Sequence, residues 1–462
     1  MAGVEAVSVV TRRVELADLA GPGTAARQRA DTATIASLWT LTLLLLPARL
    51  VYQGVPLSIT PASSIALALG LMWACAHFSN RLGLAKGRTP VRTALFVHAV
   101  AMIATYGYGT YAYLPADELG LADHAFILIM ANIVFALAVC DGVRGMDRLD
   151  RLLRTVVVGG AVIALVGAFQ FLLDLDLTRY LDLPGLRSIS DDAAVIERSG
   201  LRRVSSTAAH PIEFGVLCAM ILPIAAYYGF RARERGEPAL RWWLCAGLVA
   251  AGLMFSVSRS AVLGLAGVAV VLLCGWPARR RIQTLVVAVV FLAGIRVVAP
   301  GLLGAFYGLF ANAGNDDSIR YRTHDYAVAA EEIARHPWLG RGAGTWYAPK
   351  HQVFDNQYIL STVETGYIGV TTLVLAFLVA IYAALRARRI GADAGTRDLG
   401  LTLAACLVVP LIGAATFDLM SFKMVAGLSF LLIGVAGALL RTASATASAS
   451  GAASGAATAG TR

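Results

Sequence analysis

The chain has 462 residues, of which 58% are hydrophobic and 15% charged, with 39 Lys and Arg against 29 Asp and Glu for a net charge of +10. Soluble domains carry about 25% charged residues, so this composition excludes a soluble globular enzyme. The apolar residues run in blocks without the alternation of barrel strands. What remains is an all-α polytopic transmembrane helical bundle, because only helices or closed barrels satisfy every backbone polar group in lipid.

Residues 1–32 form a polar stretch without the short apolar core of a signal peptide and are expected to be a disordered cytoplasmic tail. Blocks long enough to cross a bilayer follow at 35–51, 57–77, 91–114, 124–143, 153–173, 211–230, 242–257, 261–276, 282–300, 360–385, 399–417 and 420–440, about twelve spans in a bundle over 33–441. Basic residues mark alternate connections: Arg81, Lys86, Arg88 and Arg92; Arg144, Arg148, Arg151 and Arg154; Arg231, Arg233, Arg235 and Arg241; Arg279, Arg280 and Arg281; Arg386, Arg388 and Arg389. The connection between the third and fourth spans carries Asp117, Glu118 and Asp123 instead. The positive-inside rule then places both termini in the cytoplasm of a bacterial inner-membrane protein. It also accounts for most of the basic excess without a nucleic-acid partner. The Ala/Ser/Gly/Thr run at 442–462 reads as a disordered low-complexity tail. The six cysteines lie in or at the ends of apolar blocks and suggest no disulfide framework.

Two connections on the expected outer face are long, 174–209 and 301–357. Connections beyond about 15 residues are usually functional or disordered. The second holds a helical pattern at 318–335, through Tyr326, Ala330, Ile333 and Ala334, followed by Trp338, Trp346 and Tyr347. The same face carries arginines that topology does not require: Arg202, Arg203, Arg259, Arg320, Arg322, Arg335 and Arg341, with Arg296 near the outer end of its span. Charge at the membrane is costly and marks function by default, and guanidinium groups recognise phosphate through paired, charge-assisted hydrogen bonds. The bland alternative for any one of them is pairing with a nearby carboxylate or a lipid phosphate.

Four segments concentrate the chemistry. The first is Arg203-Val-Ser-Ser-Thr207 with His210-Pro211-Ile-Glu-Phe-Gly215; the second is Ser258-Arg259-Ser260 in a short turn. The third is Arg322 with His336-Pro-Trp-Leu-Gly-Arg-Gly342, and the fourth runs from Asp355-Asn356 through Glu364-Thr-Gly366 to Gly369. Taken in this order, over roughly 203–369 and the final helices, they resemble the O-antigen ligase/polymerase family. The resemblance implies a metal-independent, multi-spanning glycosyltransferase without a cofactor. Such an enzyme moves glycan from an undecaprenyl-diphosphate carrier to a glycan or lipid-linked acceptor on the outer face of the cytoplasmic membrane, among membrane lipids. It also implies that Arg203, Arg259 and Arg322 bind the donor diphosphate. Two positions depart from the family pattern. Asp355 stands where the ligases place a catalytic His, and Ile212 follows His210-Pro211 where Asn is usual, which favours polymerisation or another glycan transfer over lipid-A-core ligation.

A carboxylate can replace that His as general base, so Asp355 and Glu364 are the catalytic candidates, with His210, His336, Arg202, Arg320, Arg341 and His351 as secondary ones. Each has a structural alternative: a helix N-cap for Asp355, a buried ion pair for Glu364, and a turn or helix start for His210 and His336. Asp316-Asp317 is an adjacent carboxylate pair without further ligands, too little for a metal site. Twelve spans with both termini inside also suit a polyprenyl-linked glycan transporter or flippase, or an envelope-assembly scaffold. The concentration of unusual charge on one face favours surface chemistry over these.

Overall fold

The computed structural model describes residues 31–55, 57–78, 89–111, 114–189, 195–198, 201–311 and 317–459. Arg81, Lys86, Arg88 and Asp316 lie outside them, as does the expected tail up to residue 30, and the side chains of Asp317, Arg320 and Arg322 are likewise not described. The fold is helical, with fourteen α-helices among the described residues: α1 (Thr32–Leu45), α2 (Pro61–Phe78), α3 (Pro90–Tyr111), α4 (Ala116–Gly142), α5 (Met146–Leu173), α6 (Pro211–Glu234), α7 (Leu240–Phe255), α8 (Arg259–Gly275), α9 (Ala278–Val298), α10 (Leu302–Ala311), α11 (Asp317–Arg335), α12 (Gln357–Ile390), α13 (Ala394–Gly413) and α14 (Lys423–Ala459). Each expected span falls on a helix, but by length and composition seven are fit to cross a membrane: α4, α5, α6, α9, α12, α13 and residues 423–448 of α14. Helices α1, α2, α7 and α8 are apolar but shorter. The chain is a multi-pass helical membrane protein; seven of its described helices meet that measure of length and composition, where the apolar blocks led us to expect about twelve spans.

Helix α14 is the axis of the bundle. Of its apolar window 94% is buried, and it touches α1, α3, α4, α5, α6, α12 and α13. Helix α9 is the opposite case, 6% buried, with Ile282, Leu285, Val286, Val289 and Val290 all exposed. A continuous apolar surface of this kind suits lipid and not water. Arginines join the helix ends at the expected inner face. Arg92 pairs with the fully buried Asp141 at 2.8 Å, and Arg280 with Asp398 at 2.8 Å and also with Glu234. Arg388 donates to the Gly275 carbonyl at 2.8 Å.

Three features depart from the sequence reading. The 174–209 connection is not wholly irregular: β2 (Leu186–Ser188) pairs antiparallel with β1 (Leu50–Tyr52), and β3 (Val195–Arg198) pairs with β4 (Leu201–Val204), Ile196 opposite Arg203. The 301–357 connection contains α10 as well as the expected α11. Helix α14 continues through the low-complexity run to Ala459, where a disordered tail was expected. Alanine is the strongest helix former, and the hydroxyls of Thr442, Ser444 and Ser448 turn back onto carbonyls four residues earlier at 2.8–3.0 Å.

The long connection is held to the bundle through a break in α12. At Gly366 the backbone leaves helical geometry (φ 65°, ψ −176°). The Val363 and Glu364 carbonyls would ordinarily accept from Tyr367 and Ile368. Instead they accept from the N–H groups of Arg341 and Gly342 at 3.1 and 2.9 Å, while Tyr367 and Ile368 donate to the Pro337 and Trp338 carbonyls at 2.8 and 3.2 Å. Two helical bonds are opened and four bonds to the loop replace them, so no backbone group is stranded. The approach demands glycine twice. A Cβ on Gly340 would lie 2.3 Å from the Glu364 backbone, and one on Gly366 2.3 Å from the Trp338 backbone, both at positive φ. Gly366→Ala is therefore expected to cost at least about 2 kcal/mol. It should lower the thermal unfolding midpoint in detergent and open residues 337–342 to protease. Gly304→Ala, in open space on α10, should do neither.

Candidate functional site

Arg203 is carried into the bundle by a segment anchored through its hydroxyls. Ser206 Oγ donates to the Ile163 carbonyl at 2.6 Å, Thr207 Oγ1 to Leu44 at 2.6 Å, and the Ser206 N–H to Gln170 Oε1 at 2.8 Å. Arg203 is 5% exposed, and its Nε donates to the Ser256 carbonyl at 3.3 Å. Ser256 opens the turn between α7 and α8. The turn is tight: Val257 sits at φ 45°, costly for a β-branched residue, and Ser258 caps α8 by accepting from the Ala261 N–H at 3.4 Å. A Cβ on Gly215 of α6 would lie 2.3 Å from Ser256 Oγ, so the small residue lets the turn seat against α6. Half-buried Arg259 is the first residue of α8. Two of the three expected diphosphate-binding arginines thus belong to one turn and its contact. The third, Arg322, is on α11.

His210 starts α6 as its N-cap, Nδ1 accepting from the Ile212 N–H at 3.2 Å with Pro211 next, so the helix-start alternative describes its backbone role. Burial, and then the charge of Arg203, pull its imidazole down to about 4. With Nδ1 accepting, the neutral ring carries its proton on Nε2. Glu213, fully buried, accepts from Ala209 at 2.8 Å and from Met424 at 2.8 Å, tying the start of α6 to the start of α14.

The same end of the bundle holds the carboxylates. The N-cap of α12 is Asn356, whose side chain accepts from Tyr358 and Ile359 at 3.0 and 3.3 Å. The capping alternative for Asp355 therefore fails, and Asp355 is exposed. Gln357 then ties α12 to the α13–α14 connection. Its N–H donates to the Ala414 carbonyl at 2.7 Å, and its Oε1 accepts from the Met420 N–H at 2.7 Å. That connection carries Thr416, which bonds Ser260 of the Ser-Arg-Ser turn at 2.8 Å, and Asp418. Burial pushes the Asp418 carboxyl up to about 6, the Asp355 charge adding to the rise and a hydrogen bond with Ser421 opposing it. The sequence reading missed Asp418 and Thr416; a single Asp at the end of an apolar block gives no signal beyond its cost.

Glu364 is committed elsewhere. Its Oε1 accepts from the Trp346 N–H at 3.2 Å, and the Gly344 N–H also bonds its carboxylate. Through these bonds it holds the glycine loop. Arg341 is paired twice, Nη2 to Glu118 at 2.8 Å and Nη1 to Glu332 at 3.4 Å, with Trp346 beneath it at 5.5 Å. Arg202 pairs with Asp174 at 3.0 Å, and Arg335 with Glu331 and Glu332 at 2.6 and 3.0 Å. These three carry the bland reading, carboxylate pairing. His336 ends α11 in a turn, with Nδ1 3.5 Å from the Tyr108 hydroxyl. His351 stacks on Trp346 at 4.3 Å, and burial, then Arg341, lower its pKa. Arg335, His336, Arg341, Trp346 and His351 line a cavity of about 570 Å³ between α3, α4, α11 and the loop. Arg296 is exposed in the last turn of α9. No group of side chains able to hold a metal ion occurs among the described residues.

The architecture defines a multi-pass membrane protein with arginines and carboxylates gathered at one end of its bundle. Residues 244–374 match the family model described as O-Antigen ligase, which bears out the expected family over that segment. The match includes Arg259, Arg322, Asp355 and Glu364 and stops short of Arg203 and Asp418. No curated protein matches the chain.

Asp418 yields a prediction with a definite sign. A carboxyl raised in the folded state destabilises the fold when ionised, and the penalty is relieved as pH falls from about 6 toward 3.8. Asp418→Asn should therefore be more stable than the parent at pH 7, and the gap should close as the pH is lowered through that window. Thermal midpoints measured from pH 7 to pH 4 test this; a constant gap would contradict it.

Proposed function

We propose that the protein is a membrane glycosyltransferase that polymerises or ligates glycan at the outer face of the bacterial cytoplasmic membrane, taking it from an undecaprenyl-diphosphate-linked donor. On this reading α1, α2, α3, α7 and α8 also cross, both termini are cytoplasmic, and the Arg203 end faces outward. The observation that carries the proposal is the lodging of Arg203 against the Ser256–Arg259 turn; the turn itself lies in the segment that matches the ligase family. The Thr416–Ser260 bond links this turn to the connection that bears Asp418.

In the proposed reaction the acceptor hydroxyl attacks the anomeric carbon of the donor sugar. Asp355 takes the hydroxyl proton as general base. The bond from the anomeric carbon to the diphosphate oxygen breaks with its electron pair passing to the diphosphate. Arg203, Arg259 and Arg322 stabilise that developing charge, so neither a strong acid nor a metal is needed. A single displacement inverts the configuration. Asp418 lies near enough to the proposed base for the Asp355 charge to add to the rise of its own carboxyl, which burial dominates. Glu364 and Arg341 act at one remove, by fixing the loop.

Arg259→Ala and Asp355→Ala should each lower glycan transfer by at least about a hundredfold without reducing the amount of protein in the membrane. Deleting the gene should shorten the surface glycan while carrier-linked units accumulate on the outer leaflet. Carrier-linked units trapped on the inner leaflet would indicate transport instead, and normal glycan in both variants would remove the site assignment.

A further inference from the structure

At the end of the bundle away from Arg203 and Asp355, the start of α5, the end of α6 and the start of α13 border a second, open cavity of about 550 Å³. That volume lies in the ordinary range for ligand sites. Four guanidinium groups line it, those of Arg151, Arg154, Arg231 and Arg235, facing Asp147, Asp150 and Asp393.

Arg154 and Arg231 pair with aspartates that line the cavity. Arg154 pairs with Asp150 at 2.7 Å and lies 5.6 and 5.7 Å from the rings of Tyr228 and Trp242, which stack on each other at 4.8 Å. Arg231 reaches Asp393 at 3.4 Å and rests on the backbone of Gly395, where a Cβ would lie 2.4 Å from its Cζ. A guanidinium has five N–H donors and one carboxylate does not use them all. The buried Nε of Arg154 has no acceptor among the described residues.

We propose that this cavity seats the phosphate headgroup of an anionic membrane lipid. Four arginines line the cavity against three aspartates and Glu237, 3.8 Å from Arg235, a near balance that suits the single charge of a lipid phosphodiester and not a di- or triphosphate. The aromatic pair beside Arg154 is of the kind that sits at headgroup level, and basic pockets between helix ends on the cytoplasmic side suit such headgroups. Loop arginines that only set topology need no shared cavity, and here four of them line one. The proposal stands independently of the transferase reading.

The test uses the full chain in neutral detergent, titrated with phosphatidylglycerol, phosphatidylcholine or inorganic phosphate, with retained lipid counted by native mass spectrometry. Phosphatidylglycerol should be retained in preference to phosphatidylcholine and should not be displaced by millimolar phosphate. The exposed pair Arg151→Gln/Arg235→Gln should weaken its retention about tenfold. Arg233→Gln/Arg389→Gln removes the same charge from the same end outside the cavity, and should change retention by less than about twofold. Equal loss in the two double variants would reduce the effect to general surface charge and overturn the site. Equal retention of phosphatidylcholine would overturn the anionic preference, and displacement by inorganic phosphate would overturn the lipid as its source.

Discussion

Four backbone hydrogen bonds across the break in α12 hold the functional end of this protein together. A helix in lipid normally closes its own bonds, because an unpaired N–H or C=O there costs several kcal/mol. Here the chain opens the helix at Gly366 and returns every freed group to residues 337–342. The loop thereby becomes part of the helix and inherits its rigidity. Glu364, at the break, adds its carboxylate to the Trp346 N–H, and Arg341, in the loop, reaches Glu118 at the start of α4. Beneath them Ala329, Phe354, Leu360 and Val363 form a small apolar core that packs α11 onto the first turns of α12. Asp355 lies at the edge of this cap, placed by Asn356 and Gln357.

The remaining half of the site is built from the bundle itself. The hydroxyls of Ser206 and Thr207 bond to carbonyls of α5 and α1, so the segment bearing Arg203 is fixed to two helices of the bundle. A buried guanidinium keeps its charge, and burying that charge is expensive unless acceptors or an anion compensate. Such a cost is worth bearing where an anionic substrate must be gripped at a low-dielectric surface. The Thr416–Ser260 contact joins this half to the α13–α14 connection, which bears Asp418 and is tied to α12 through Gln357.

Much of this was legible in the sequence, and the limits are physical. Helix positions followed from apolar blocks, since every described span had to close its own backbone. Crossing length was less legible, because α1, α2, α7 and α8 are short helices whose flanking polar residues an apolar count cannot separate from the span. Gly340 and Gly366 could be seen as glycines but not as partners, because their close approach joins positions 26 apart in the chain. Adjacent Asp355 and Asn356 can both cap a helix, and only backbone geometry shows that Asn356 does so. The paired states of Arg202 and Arg341 were equally hidden: Asp174 and Glu118 are remote in sequence. Asp418 shows no pattern at all, being defined by burial and by the charge of Asp355.

The central claim is a single inverting displacement on a lipid diphosphate, driven by arginines and a carboxylate of this chain alone. Its most direct measurement is transfer by the purified protein in proteoliposomes, with an undecaprenyl-diphosphate-linked oligosaccharide as donor, EDTA present, and the anomeric configuration of the product read by NMR. The account predicts glycan transfer that persists in EDTA and yields the inverted anomer. A retained configuration, a need for divalent metal, or movement of the donor across the bilayer without a new glycosidic bond would contradict it.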